Sequence, residues 1–369
     1  MTISWFVPIL SVSVIPRFLS QTQTQIESAE KLVNRYFETQ TSIYPKMVRF
    51  AFHSCVGPSG CNGCININHP DNKGLENILE DLNELYIQTS GFSRADFWAL
   101  SAVTVLDFVK PSKTENKKEY IFGRIDCEQS PNETDFWEYP EPRKDWAHVE
   151  RIFGENSIFG LTVNETVALI GGAHSLGKPH LQVSGFEKPW DPSETTLDNT
   201  NLNFMYYNDY EQALSPENKT QWYGVGNGMY HKFGAFNTDV ALWKNITLNS
   251  TGTEGSVAGC RDSKNTVKLH SCQNNPKTSK YFKSLATGSS SQLFEDFRAA
   301  YLKMLKAGLV VATTTVETTV ASTTPDSTTA EWLTTESSGF KHIFSIVGLS
   351  LISTFHWIKL QQIKKIRQK

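Results

Sequence analysis

The chain has 369 residues and a formal net charge of −3. That length allows two domains, although single catalytic domains also reach it. So even a charge balance leaves no basic footprint for nucleic acid. Residues 1–20 are apolar and short, with polar QTQTQ behind them, and read as a secretory signal peptide despite a proline inside and no basic start; an unstructured apolar leader is the alternative. Residues 28–37 and 44–52 alternate as amphipathic helices. In the second, Arg49, Phe52 and His53 share one face. A cation, an aromatic ring and an imidazole on an otherwise apolar helix are costly unless they line a site or sit at an exposed helix end.

Six cysteines follow: Cys55, Cys61, Cys64, Cys127, Cys260 and Cys272. An even set in an oxidising compartment reads as disulfides, whose connectivity a sequence leaves open. The local pairs are Cys55 with Cys61 and Cys260 with Cys272, leaving Cys64 with Cys127. A zinc site on Cys61-x-x-Cys64 is the alternative, without a second ligand pair at fitting spacing. Residues 69–86 read as a helix capped by Asp71 or Asn72, with Leu75, Ile78, Leu79, Leu82 and Leu85 as its buried stripe. Residues 93–108 read as one apolar helix enclosing Asp96. Residues 132–143 are Pro- and Glu-rich and read as a loop. Helices are expected over 146–159 and 164–176. The latter carries His174 beside Gly171, Gly172 and Ala173, small residues that let something flat approach the backbone. A histidine there either holds a metal from one side or is a core histidine bonded to a carbonyl. After an irregular stretch at 188–203, helices are expected over 202–214 and 289–307, and residues 237–242 open another element between them. The fold class is mainly α.

Asn-x-Ser/Thr sequons start at Asn132, Asn164, Asn218, Asn245 and Asn249, and together they point to glycosylation; at Asn132 and Asn164 a local role is the alternative, since Thr134 and Thr166 sit where they can cap helices. Residues 310–340 are Thr/Ser-rich and too polar for a core, as in an extended stalk. Residues 341–359 contain an uncharged apolar run flanked by lysines, read as a single transmembrane helix. Residues 360–369 form a basic tail placed on the cytoplasmic side, which argues against the rival lipid-anchor signal.

Taken together, the segments around His53 and His174 resemble the plant, fungal and bacterial haem peroxidase superfamily. The distal signature R-x-x-[FW]-H is present as Arg49, Phe52 and His53, and the proximal signature G-A-H-[ST]-L-G spans residues 172–177. The resemblance covers about residues 26–309. It implies a two-lobed helical fold with haem b between distal and proximal helices, hydrogen peroxide as substrate, and an organic or protein electron donor. It implies His53 as the base that moves a proton between the peroxide oxygens, and Arg49 as the fixed cation for the leaving oxygen. Asn72 would hold the His53 tautomer and Phe52 would line the haem. His174 would ligate iron, and Asp239 would make that ligand electron-rich. Trp190, in a pattern like the cytochrome c peroxidase and ascorbate peroxidase branch, would pack on His174 and either carry an electron hole or simply pack. Lys178 and His180 match positions near the haem propionates.

Ser175, Asp191, Ser193, Thr196 and Asp198 show the spacing of the family's proximal calcium site, with potassium or a solvated acidic loop as alternatives. Asp96 would pair with buried Arg124 in a structural role. Two departures matter. Ser54 and Asn62 stand where secreted members carry aspartates, which argues against a distal calcium. Val183 replaces the arginine that binds ascorbate. The expectation is thus a haem peroxidase displayed at the cell surface or in a secretory-pathway membrane. A surface binding or adhesion protein that keeps the haem fold without turnover is the alternative.

Overall fold

The computed structural model describes residues 21–57, 59–128, 138–226 and 230–309. The expected signal peptide (1–20), the stalk, membrane span and tail (310–369), and the sequon at Asn132 lie outside them. Among the described residues no helix is long and apolar enough to cross a membrane.

Helix α1 (Gln23–Thr39) starts earlier than the periodicity predicts because Thr22 and Gln25 form a reciprocal capping box. Helix α2 (Tyr44–His53), with proline in its first turn, buries Tyr44, Met47, Val48, Phe50, Ala51 and His53. The expected helix over 69–86 is shorter. Pro70–Asn72 forms a separate 3-10 turn, and α3 (Glu76–Tyr86) begins after it. Asp71 and Asn72 therefore do not cap that helix. His69 caps the turn, and the Asn72 side chain is engaged elsewhere. The helix expected over 93–108 breaks at Val105 into α4 (Arg94–Thr104) and α5 (Leu106–Val109). Near the break, the Thr104 hydroxyl bonds back to the Leu100 carbonyl at 2.8 Å, a contact that bends helices.

Helix α6 (Trp146–Phe153) is capped by Asp145, and α7 (Val163–Ala173) by a Thr162–Glu165 capping box. Helix α7 ends one residue before His174, so that histidine is a C-terminal cap residue rather than an interior one. A short α8 (Leu181–Ser184) and α9 (Thr200–Tyr207) follow. The helix expected over 202–214 ends at Tyr207. Asn208 turns the backbone to extended, and Tyr210–Leu214 becomes strand β1, paired antiparallel with β2 (Thr220–Gly224), which pairs with β3 (Gly234–Ala235). The pairing fills the β1 backbone hydrogen bonds and buries Tyr210 and Trp222, a long-range gain invisible to local periodicity. Helix α10 (Asn237–Ala241), the ribbon of β4 (Thr247–Leu248) and β5 (Val257–Ala258), α11 (Ser279–Thr287) and α12 (Ser290–Leu305) complete the described chain.

The helices form two groups joined through α2. Helices α3 and α4 pack on α2 and α1 on α4, while α6, α9, α11 and α12 gather about α7; α2 also touches α7 and α12. A single apolar cluster runs through both. The small residues before His174 serve this packing. A Cβ at Gly172 would lie 2.6 Å from Cδ2 of Phe297 on α12, and one at Gly171 3.1 Å from Leu202 on α9. The two glycines thus admit neighbouring helices, not a ligand, which corrects the sequence reading of that patch.

All three expected disulfides are present: Cys55–Cys61, Cys64–Cys127 and Cys260–Cys272. Cys61 and Cys64 belong to different bridges, which removes the zinc alternative. The Asp96–Arg124 pair is also present, 2.9 Å apart with both side chains 2% exposed. Arg124 additionally donates to the carbonyls of Ile121 and Leu305, tying α4 to the end of α12. A buried pair is kept only when its remaining hydrogen bonds are satisfied in this way.

Candidate active site

On the α2 side, the apolar stripe of the helix buries His53 at its last position, and the chain beyond folds back over it. His53 Nδ1 lies 2.8 Å from Asn72 Oδ1. Asn72 is fully buried, and its Nδ2 donates to the Asn66 carbonyl at 2.6 Å and to the Tyr139 hydroxyl at 2.8 Å. With both amide hydrogens so placed, Oδ1 is left to accept, and His53 must carry its proton on Nδ1. Nε2 is then a lone pair with no protein partner among the described residues. Burial first, and the Arg49 charge second, hold the His53 imidazole well below its ordinary pKa, so it stays neutral at neutral pH. Arg49 donates to the carbonyls of Lys73, at 3.2 Å, and Asp71. The distal turn therefore fixes the guanidinium. Phe52 stacks on Phe153, ring centroids 5.2 Å apart, and meets His53 edge-on.

On the α7 side, the helix end projects His174, whose Nδ1 is 2.6 Å from Asp239 Oδ1. Asp239 is 2% exposed, and its second oxygen accepts the Phe236 amide at 2.7 Å in the first turn of α10. Trp190 lies nearly parallel to His174, 4.7 Å between centroids and 17° between planes. Phe236 closes edge-on against both rings. Both Asp239 oxygens are thereby used, and the Trp190 indole N–H has no partner among the described residues. His174 Nε2 likewise has none.

Two close approaches bring the halves onto one rim. A Cβ at Gly177, just past His174, would lie 2.9 Å from Pro45 of α2. One at Gly74 would lie 3.6 Å from Val183 and 4.0 Å from Arg49 Nη1.

A family model described as peroxidase matches residues 29–323. The chain belongs to the peroxidase family. It is 29% identical over 298 residues to a mitochondrial cytochrome c peroxidase of Yarrowia lipolytica, an alignment covering 76% of this chain and 73% of that one. It is 30% identical to the peroxisomal L-ascorbate peroxidase 5 of Arabidopsis thaliana, over 42% of this chain and 55% of the relative. It is 28% identical to the cytosolic L-ascorbate peroxidase 1 of Oryza sativa subsp. indica, over 54% of this chain and 79% of the relative. The mainly α fold is that of a haem peroxidase, and the protein is a haem-dependent enzyme of that class.

The donor set of this peroxidase fits a haem. His174 offers one unpartnered Nε2, its other nitrogen held by a carboxylate, as iron-ligating histidines require. The remaining expected residues divide. The Lys178 ammonium pairs with Glu194 at 2.7 Å, and His180 is exposed ahead of α8. The Ser175 hydroxyl donates to the Gly172 carbonyl. Asp191 is 2% exposed; its Oδ1 accepts the Ser193 amide and its buried Oδ2 has no partner. Burial and the nearby Asp198 push the Asp191 carboxyl up to about 8. Asp198 accepts the Thr200 amide, and Thr196 is half-buried between them in the chain. Among the described residues no three His, Cys, Asp or Glu side chains converge as a metal cluster. A cation at this loop would use two carboxylates with hydroxyl and carbonyl oxygens.

Tyr139, Asn66 and His69 were not singled out by sequence reasoning. Tyr139 stands in the Pro- and Glu-rich loop, 67 residues from the amide it meets. An aromatic in a polar loop is the only local sign of it.

Proposed function

We propose that the two histidines divide the reduction of hydrogen peroxide between them, and that the electrons come from an organic or protein donor other than ascorbate. The carrying observation is that the Nδ1 of each imidazole is engaged, His53 by a neutral amide and His174 by a buried carboxylate, so that each presents Nε2. His174 Nε2 would hold haem b, which would supply redox-active iron for the two-electron reduction. His53 Nε2 takes the proton from the peroxide oxygen nearer the iron and passes it to the departing one. Arg49, which stays protonated, bears the charge growing on that oxygen. Hydrogen peroxide leaves as two waters after taking two electrons and two protons, and the donor is oxidised by two electrons.

Asp239 holds the His174 proton and strengthens the ligand. Trp190 packs on that ligand, and Phe52 lines the haem. Lys178 and His180 would donate to the haem propionates. Val183 at the rim near Arg49 presents a methyl group where ascorbate would need a cation. The loop of Ser175, Asp191, Ser193, Thr196 and Asp198 binds one Ca²⁺ or K⁺, supported by the partnerless buried Asp191 oxygen.

The catalytic domain spans 26–309 and is displayed outside the membrane on the 310–340 stalk, held by 341–359 with 360–369 inside. The three disulfides support an oxidising compartment, and so does the exposure of Asn164, Asn218, Asn245 and Asn249. The test is peroxide consumption by the haem-loaded full-length protein against phenols, ascorbate and cytochrome c, for wild type and His53→Ala. Loss in the variant supports the reading; an unchanged rate overturns it. A protein that binds haem and ignores peroxide is instead a silent surface protein. Protease treatment of intact cells, with loss of the domain expected, tests the topology.

A further inference from the structure

Three features outside the known machinery stand out. One is an open groove along α3, lined by Ile67, Leu79, Ile87 and three glutamates, for which the structure names no occupant. Another is the exposed Tyr207 beside Tyr206 and Trp243, with no ring contact leading on to Trp190. The third is Tyr139, and it carries an inference. Resting on the distal-base reading above, we propose that Tyr139 is a positioning residue for peroxide cleavage, setting both the orientation and the proton affinity of His53.

Two contacts argue for it. The Tyr139 hydroxyl accepts one of the two Asn72 amide hydrogens at 2.8 Å. The other hydrogen goes to a backbone carbonyl, so the phenol completes the lock that leaves Asn72 Oδ1 facing His53. Donation from Nδ2 polarises the amide and makes Oδ1 a better acceptor, which in turn raises the basicity of His53 Nε2. Second, the Tyr139 ring lies over the His53 imidazole, centroids 4.7 Å apart and 24° between planes. A ring face in that position favours the imidazolium that forms when His53 takes a proton. It offsets part of the penalty that burial and Arg49 impose.

The phenol suits this task. Tyr139 is 6% exposed, and burial pushes its hydroxyl up to about 12, so it remains neutral wherever the enzyme works. Its own chain segment is pinned. Glu138 pairs with Arg151 of α6, the Glu141 amide donates to His148 Nε2 at 2.8 Å, and Asp145 caps α6. Among the described residues, the titratable and charged groups around His53 and Tyr139 are Arg49 on α2, and His69 and Asp71 on the distal turn, with Glu76 beyond Arg49. The His69 ring centroid is 4.9 Å from that of Tyr139. Among the described residues, Tyr139 is the side chain that touches both His53 and the amide that orients it.

The experiment compares haem-loaded full-length wild type with Tyr139→Phe, Tyr139→Leu and His53→Ala. The readouts are the pH profile of the second-order rate with peroxide and the dissociation constant of cyanide, which also yields its proton to His53. Phenylalanine keeps the ring and removes the acceptor. We expect the rate plateau to fall about 5-fold, cyanide to weaken by a similar factor, and the acid limb to move to lower pH. Leucine removes both contacts, and a fall of roughly 10-fold or more is expected, with a further acid shift. The acid shift, with phenylalanine moving the limb less than leucine, is not expected of a residue that only supports the loop. Wild-type profiles and cyanide affinity in both variants would overturn the proposal. So would a lowered plateau whose acid limb has not moved. His53→Ala keeps the two readings apart: if it leaves the rate intact, the distal base itself is wrong, whereas its failure alongside silent Tyr139 variants sinks only this inference.

Discussion

The two halves of the site use the same side chain under opposite electrostatics. His53 is buried, faces the cation Arg49 and leans on an amide that carries no charge. His174 sits at a helix end, is less buried, and leans on a carboxylate. A neutral partner leaves an imidazole weakly basic and ready to take a proton only transiently. An anionic partner makes it a stronger electron donor to a metal. What distinguishes the proposed base from the proposed ligand is therefore the residue behind the ring, not the ring.

The largest test of this contrast is His53→Ala, expected to lower the peroxide rate about 10²- to 10⁴-fold while leaving the absorption spectrum of the bound haem near that of wild type. A spectrum changed as much as the rate would mean that the residue shapes the haem site rather than acts in it. Next is Asp239→Asn, which gives the proximal ring the kind of partner the distal ring has. Haem affinity or peroxide rate should fall roughly 10- to 100-fold, and the iron midpoint potential should rise. An unchanged potential would erase the proposed difference between the halves.

The pH dependence sharpens the same comparison. Because His53 is held well below its ordinary value, the peroxide rate should stay level as pH falls through about 6.5 and drop only on the acid side of it. The same shift bears on stability. A folded-state pKa below the unfolded one means that the unfolded chain binds the extra proton. The His53 contribution to unfolding free energy therefore declines as pH falls below about 6.5, and thermal melts across that range report it.

Gly172→Ala is expected to have the smallest effect on the site. The added methyl meets the Phe297 ring, and destabilisation of about 1–3 kcal/mol is expected in denaturant melts, with peroxide kinetics unchanged once folded. A direct loss of haem binding without loss of stability would return that glycine to the ligand site.

Much of this was legible in the residue order. The helical spacing of Arg49, Phe52 and His53, the motif around His174, and the Cys55–Cys61 and Cys260–Cys272 pairs are local or short-range patterns, and the structure keeps each of them; Cys64–Cys127 followed as the remainder. Elements that end where a neighbour intervenes were not legible. The helix over 164–176 stops at Ala173, the helix over 202–214 gives way to a strand once β2 offers its edge, and the glycines beside His174 face α9 and α12. The sequence alone named the candidate side chains for the proposed chemistry, because residue type and spacing are written in the chain. The resemblance also named Asn72 and Asp239 as the partners of the two imidazoles. What stands behind Asn72 was decided by tertiary packing: Tyr139 lies 67 residues on in a loop, and its hydroxyl reaches the Asn72 amide only because folding buries both polar groups together.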